Sequence, residues 1–431
     1  MSQLSYRAAI DFLFKLETSA IKLGLDNTTS LLGAIGNPQD SFGSVHIAGT
    51  NGKGSVASFL NSILFHNGLT TGLFTSPHLV DYRERIRKDG VAIPAGSVRE
   101  IVSMVAPHVR RIGASYFEAT TAVGFEYFKR EKIDLAVVEV GMGGRLDSTN
   151  VIRPLAACIT TIDYDHEKYL GRTLARIAAE KAGIIKAGVP VVCGRMPRSA
   201  SRTIRNVAAR RGARVFDAAE CTTIRPLEVG RSGSTFEYRG LAGRRTLRIG
   251  LGGSYQIANA AIAVLVAEVL SETGTRITAR AIEEGLEHAL WPGRLQVLKR
   301  RPLVICDGAH NVSGARALVR SLGEMGIDRT LTVFGVLRDK NCRNMLAVLS
   351  RPTDRFVFTK PDYHRALPLS ALRGAARTLG LPFKGFSRVG GALDYALQHC
   401  EGRPVVVCGS LYVIGEAMQF FGFKPHNVKL C

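Results

Sequence analysis

Val45-His46-Ile47-Ala48-Gly49-Thr50-Asn51-Gly52-Lys53-Gly54-Ser55 is the stretch on which the reading of this chain turns. Val45 to Ala48 is a short apolar run that predicts a buried strand. Three glycines, a lysine and a serine follow within seven residues, and then Val56, Phe59, Leu60, Ile63 and Leu64 recur at helical spacing. Strand, glycine loop and helix aim backbone N–H groups and a helix N-terminus at a phosphate. Lys53 adds a positive charge, and Ser55 can offer a hydroxyl to Mg²⁺. The spacing departs from the common G-x-x-x-x-G-K-[ST], because Gly54 separates Lys53 from Ser55.

Working outward, other residues with chemistry fall where strands end. Thr70 to Phe74 predicts a strand leading into Thr75-Ser76-Pro77-His78, and ligands of open α/β sheets sit at such carboxyl ends. Ile133 to Val140 is a continuous apolar run holding Glu139, an acid costly to bury unless paired or metal-bound. Beside a phosphate loop it reads as a Mg²⁺ partner. The glycine-rich Gly141 to Asn150 follows it. Leu155 to Ile162 predicts another strand, ending in Asp163-Tyr164-Asp165-His166, where His166 is a second metal-ligand candidate. Helices are expected over Ala95–Ile112, from Tyr116 to about Arg130, over Leu174–Lys186, and from about Gly252 onward. Val189 to Cys193 is expected to close the main sheet. Short β-type runs between glycines over 215–250 predict a small antiparallel appendage. Trp291-Pro292-Gly293-Arg294 marks a boundary, after which β/α alternation resumes with strands near 302–306, 330–335, 354–358 and 404–408.

The 431 residues, 46% of them hydrophobic, suit two α/β domains. The longest apolar stretch, 257–270, is broken by Asn259 and Glu268, so no membrane span is expected. The N-terminal helix, Leu4 to Leu16, carries Asp11 and Lys15, shows no cleavage pattern and is expected to run into a loop up to residue 42. Eight scattered cysteines without a C-x-x-C pair suit reduced thiols in a cytoplasmic enzyme. The net charge of +21 invites a nucleic-acid reading, but the basic residues are dispersed, and steering of anionic small substrates is the expectation instead.

Taken in order, Gly49 to Ser55, Ser76-Pro77-His78, Glu139 with Gly141 to Asn150, Asp165-His166, Glu180-Lys181-Ala182-Gly183, Pro292-Gly293-Arg294 and Asp307 to Asn311 resemble the folylpolyglutamate synthase family. The resemblance is to its bacterial form, often also a dihydrofolate synthase, within the Mur ligase superfamily. It implies an N-terminal P-loop ATPase-like domain (1–293) with a mainly parallel sheet and β appendage. A hinge (294–299) and a C-terminal Rossmann-like α/β domain (300–431) on the glutamate side would follow. It implies an ATP-dependent ligase, monomeric and cytoplasmic, joining L-glutamate to dihydropteroate and to reduced folates through an acyl phosphate, with no nucleic-acid or membrane partner.

By the same resemblance, Gly49, Thr50, Asn51, Gly52, Lys53, Gly54, Ser55, Asn259, Arg294 and Asp307 bind ATP, and Ser76, Glu139 and His166 hold Mg²⁺, with two ions expected. Lys181 is carbamylated. Lys53, Lys181 and His310 are catalytic. Lys22, Leu23, Gly24, Ser115, Tyr116, Phe117, Glu118, Leu146, Asp147, Ser148 and Ser410 contact substrate. The alternatives are a folylpolyglutamate synthase without the dihydropteroate reaction, a Mur-type cell-wall ligase, and a basic P-loop binding protein without turnover.

Overall fold

In the computed structural model, residues 4–17 and 24–424 are described. Lys22 and Leu23, expected at the substrate, lie outside them. Eight strands build the first sheet: β1 (Gly43–Ala48), β2 (Thr71–Phe74), β3 (Ile86–Lys88), β4 (Val91–Ala92), β5 (Leu135–Glu139), β6 (Ala156–Ile159), β7 (Val191–Cys193) and β8 (Val215–Asp217). Their order is β4-β3-β2-β5-β1-β6-β7-β8. From β2 to β8 the pairing is parallel, while β3 and β4 add an antiparallel edge.

The parallel strands are buried on both faces, which explains their unbroken apolar character. Leu135 and Val137 pack with the Lys53–His66 and Ser254–Glu272 helices, whereas Ala136 and Val138 pack with the Tyr116–Arg130 helix. The Ser254–Glu272 helix is long and apolar enough to cross a bilayer, but most of it is buried inside the protein. Its one buried acid, Glu268, accepts the Tyr238 hydroxyl (2.8 Å) and the Leu241 N–H (3.1 Å). That carboxylate ties down the antiparallel appendage of β9 (Thr223–Val229), β10 (Ser234–Gly240) and β11 (Gly243–Ile249).

A second sheet follows, built from β12 (Gln296–Arg300), β13 (Leu303–Cys306), β14 (Thr330–Phe334), β15 (Thr353–Phe358), β16 (Phe383–Gly385) and β17 (Val405–Cys408). Its order is β12-β13-β17-β14-β15-β16, parallel except for β12.

Several expectations need correction. The main sheet does not close at Cys193, because Val215–Asp217 adds β8 beyond it. Residues 215–217 therefore belong to that sheet and not to the appendage. The leading segment holds a second helix, Asp26–Ala34, where a loop was expected. A helix for which no expectation was stated, Arg198–Arg210, buries Ala200, Ile204 and Ala208. The helix from Leu174 stops at Ala182, with Gly183 at its C-cap. Residues 296–299 of the expected hinge already pair within the second sheet, which leaves residues 291–295 as the connection.

Candidate active site

The carboxyl ends of β1, β2, β5 and β6 face the second domain across a cavity of roughly 650 Å³. Thr50 to Ser55, Ser76, Glu139, His166 and Asn259 line it from the first domain. Arg294, Asp307, His310 and Ser410 line it from the other side. Thirteen of the expected ATP, metal and catalytic positions thus border one space, with Ser410 from the substrate set.

The glycine loop is held by its neighbours. Gly49 has φ 150° and lies so close to Thr160 that a Cβ would collide with its hydroxyl. Gly52 has φ 83°, and a Cβ there would meet Asn259 Oδ1. These are places where close approach and left-handed backbone require glycine. The Thr160 and Thr161 hydroxyls donate to Asn51 O (2.7 and 3.1 Å), and Thr161 Oγ1 accepts the Asn51 N–H (3.0 Å). The Asn51 side chain crosses to the second domain. Its Nδ2 donates to Ser313 Oγ (2.6 Å), and its Oδ1 accepts Asn311 Nδ2 (2.9 Å). Ser55, which also borders the cavity, accepts Gln256 Nε2 (3.2 Å) from the Ser254–Glu272 helix.

Lys53 Nζ stands 3.8 Å from Glu139 Oε1, an ion pair beyond hydrogen-bond reach, and Ser76 N–H donates to Glu139 Oε2 (3.3 Å). Burial pushes the Glu139 carboxyl above its usual range, and Lys53 opposes that shift. His166 sits at φ 49° after β6, and burial, reinforced by Lys340, pushes it down to about 4. It is therefore a neutral imidazole able to donate a lone pair. Among the described residues no three His, Cys, Asp or Glu side chains converge into a metal cage. What they offer a Mg²⁺ ion is one buried carboxylate, a hydroxyl and an imidazole. That sparse set suits a cation that keeps waters and takes phosphate oxygens.

Lys181 does not line the cavity. It lies under the glycine loop at 5% exposure, its Nζ donating to Gly49 O (2.8 Å). Burial is the largest influence and pushes it down to about 7, and Lys53 adds to the effect. Asp165, just before His166, collects groups from the second domain: Lys340 pairs with Oδ1, Asn311 Nδ2 donates to Oδ2 (3.2 Å), and His310 Nε2 lies 3.6 Å from Oδ2. Lys340 also faces Asp339 (3.5 Å), which Arg365 contacts at 3.1 Å.

Apart from Ser410, the described substrate residues are not among those lining this cavity, and they carry local structure. Ser115 and Glu118 form a capping box at the start of the Tyr116–Arg130 helix. Tyr116 packs under Arg85, and the Phe117 ring closes on Gly141. Asp147 accepts the Met142 N–H (2.8 Å) and the Thr149 N–H and hydroxyl, and Thr149 in turn meets the buried His46 Nε2 (2.8 Å). Ser148 is buried in the same loop and Leu146 is half-buried. Gly24 has φ 151° and open space around it. Ser410 caps the Leu411–Phe420 helix through the Val413 N–H (3.2 Å).

Sequence reasoning missed Tyr255, Gln256, Asn311 and Lys340. Asn311 ends the quoted Asp307 to Asn311 motif and caps the Val312–Glu324 helix, and Lys340 stands in the loop after β14. Tyr255 and Gln256 carry no strand-end signal.

Residues 101–267 match the Mur ligase middle domain, and residues 293–411 match the Mur ligase, glutamate ligase domain. The folylpolyglutamate synthase of Lacticaseibacillus casei is 34% identical, covering 90% of this chain and 92% of that protein. The dihydrofolate synthase/folylpolyglutamate synthase of Bacillus subtilis is 34% identical, covering 92% and 94%. Among solved structures, Mycobacterium tuberculosis folylpolyglutamate synthase complexed with ADP superposes with TM-score 0.90 at 33% identity, covering 97% of this chain and all of that one. Escherichia coli FolC in complex with DHPP and ADP superposes with TM-score 0.88 at 29% identity, covering 98% and 99%. With its phosphate loop, strand-end acid and second α/β domain meeting at one cavity, the chain belongs to the folylpolyglutamate synthase/dihydrofolate synthase family of Mur ligases.

Proposed function

We propose that the chain is an ADP-forming amide ligase that joins L-glutamate both to dihydropteroate and to reduced folates. The observation that carries this reading is the shared cavity, where a phosphate loop from one domain faces Arg294, Asp307 and His310 from the other. A ligase of this kind needs such a meeting, because one bound carboxylate must be phosphorylated and then attacked by an amine. ADP in the M. tuberculosis structure, and DHPP with ADP in the E. coli structure, support the nucleotide and substrate assignments. Relatives from B. subtilis, M. tuberculosis and E. coli that carry both activities in their names support bifunctionality.

The substrate carboxylate attacks the γ-phosphorus of ATP, forming an acyl phosphate and releasing ADP. The glutamate amine then attacks the acyl carbon, the carbon–oxygen bond to phosphate breaks, and an amide remains. Lys53 and the loop N–H groups hold the phosphates and offset charge developing on the transferred group. Glu139, Ser76 and His166 would hold Mg²⁺, which supplies Lewis-acid neutralisation of the phosphate oxygens. Lys181 as a carbamate places an anion beneath the loop. Arg294 and Asp307 secure the nucleotide from the second domain, and His310 and Ser410 serve the glutamate half-reaction. The pterin end lies on the side of residues 115–118 and 146–148, beyond the β2 and β5 ends. The reading is of a monomer working in the cytoplasm on small anionic substrates, supported by the seven described cysteines standing as free thiols.

The test is product analysis by mass after incubation with MgATP, glutamate and either dihydropteroate or tetrahydrofolate. Dihydrofolate from the first and an extended polyglutamate from the second are expected. Extension of tetrahydrofolate without any dihydrofolate reduces the function to folylpolyglutamate synthesis alone.

A further inference from the structure

Three parts of the chain meet on one carboxylate at the join between the domains. Asp307 follows β13 and is 4% exposed. Its Oδ1 accepts the Ala309 N–H (2.9 Å) within the second domain. Its Oδ2 accepts two groups, the Leu295 N–H (3.0 Å) from the connection and the Tyr255 hydroxyl (2.7 Å) from the first turn of the Ser254–Glu272 helix. Leu295 stands at φ 44°, in the left-handed region that a leucine seldom adopts. Its side chain is buried in the core of the second domain, and the Tyr255 ring packs against the same core. A backbone of this kind persists where surrounding contacts over-determine it. Here the contact on its N–H is Asp307, and Tyr255 shares the same oxygen.

A phenylalanine would fill the space of the Tyr255 ring equally well. The hydroxyl is the part that packing does not require, and it is aimed at a carboxylate bordering the nucleotide cavity, which Tyr255 also lines. We propose that Tyr255 is a positioning residue for the nucleotide: its hydroxyl fixes Asp307 and, through the shared Oδ2, the left-handed turn at Leu295. The second domain then offers Asp307 and Arg294 to the nucleotide in one geometry. Without the hydroxyl, Asp307 keeps its backbone donors but gains rotational freedom, and the nucleotide must order it on binding. The loss falls on affinity, not on the chemical step. This inference rests on the nucleotide reading above and adds to it a residue from outside the glycine loop.

The experiment is a double-mutant cycle of Tyr255→Phe and Asp307→Asn, read by calorimetric MgADP affinity, KM for ATP and kcat. A hydrogen bond to a charged group contributes about tenfold to a hundredfold in an equilibrium constant. Tyr255→Phe is therefore expected to raise the MgADP dissociation constant and KM for ATP about tenfold, with kcat at saturating ATP held within about threefold. The double variant is expected to bind MgADP no more weakly than Asp307→Asn alone, because the hydroxyl acts through that carboxylate. Wild-type MgADP affinity in Tyr255→Phe overturns the proposal, as does a fall in kcat at unchanged KM. So do fully additive losses in the double variant. A lowered melting midpoint with unaltered MgADP affinity also overturns it, since that is the effect of a merely structural hydroxyl. A wild-type protein that fails to bind MgADP refutes the nucleotide reading instead.

Discussion

Lys181 should be inactive as an ordinary lysine and active as a carbamate. Its ammonium would be buried under the Gly49 carbonyl, and burial brings it from 10.5 down to about 7. That shift corresponds to about 5 kcal/mol against the charged form. Near neutral pH a substantial share of Lys181 is then neutral, against on the order of one part in a thousand for an exposed lysine. The neutral amine attacks CO₂, a nitrogen–carbon bond forms, and one N–H proton leaves to solvent. The product is an anion where Lys53 and Lys340 disfavour a cation.

In CO₂-stripped buffer, turnover should fall and recover with bicarbonate. With CO₂ limiting, activity should fall as pH drops through about 7, because protonation removes the reactive amine. Lys181→Ala is expected to lose about a hundredfold to a thousandfold, with acetate restoring part of it. Initial rates and NMR with isotopically labelled bicarbonate read these outcomes. A Lys181→Arg variant as active as wild type refutes the reasoning, since a guanidinium keeps its charge and cannot form the carbamate.

Lys53→Ala should lose at least about a hundredfold in turnover, because it removes a charge that acts on the phosphates, while its circular dichroism stays that of wild type; near-normal turnover would remove the phosphate-loop assignment. Glu139→Gln should be nearly inactive yet melt above wild type at pH 7 without Mg²⁺. Burial raises the folded-state value of this carboxyl, so its contribution to stability is full below the ordinary carboxylate value and is lost as pH rises through the raised one. Equal melting midpoints with an unchanged response to Mg²⁺ would contradict both the burial cost and the metal role.

The sequence made the cavity's phosphate wall legible because its signals are local. Glycines, a lysine and an acid at strand ends carry their meaning within a few residues. The helices Ala95–Ile112 and Tyr116–Arg130 likewise announced themselves through long periodic stretches. Asp26–Ala34 and Val215–Asp217 were missed because nine polar-rich residues and a three-residue edge strand give too little periodicity to read. The Arg198–Arg210 helix hides its apolar stripe in two alanines and an isoleucine among arginines. Ser115 and Glu118 fit a capping box on spacing alone, a reading that competes with substrate contact and that the structure displays. The contacts of Asn51 with Ser313 and of Tyr255 with Asp307 join residues far apart in the chain. No local pattern encodes such pairs.

The strand order β2-β5-β1-β6 sets the working parts side by side along one sheet edge. On the function proposed above, the 75–85 and 141–150 loops would flank the carboxylate-bearing substrate, and the Gly49 to Ser55 loop and the residues after β6 would flank the nucleotide. On that reading phosphate handling and substrate choice sit largely on separate, neighbouring loops that share a rigid base, with Ser76 the residue that belongs to both. Such a layout is evolvable in a particular way. A lineage can exchange one carboxylic acid for another by rewriting the β2 and β5 loops, while the loops after β1 and β6, and the energy source they handle, descend unchanged.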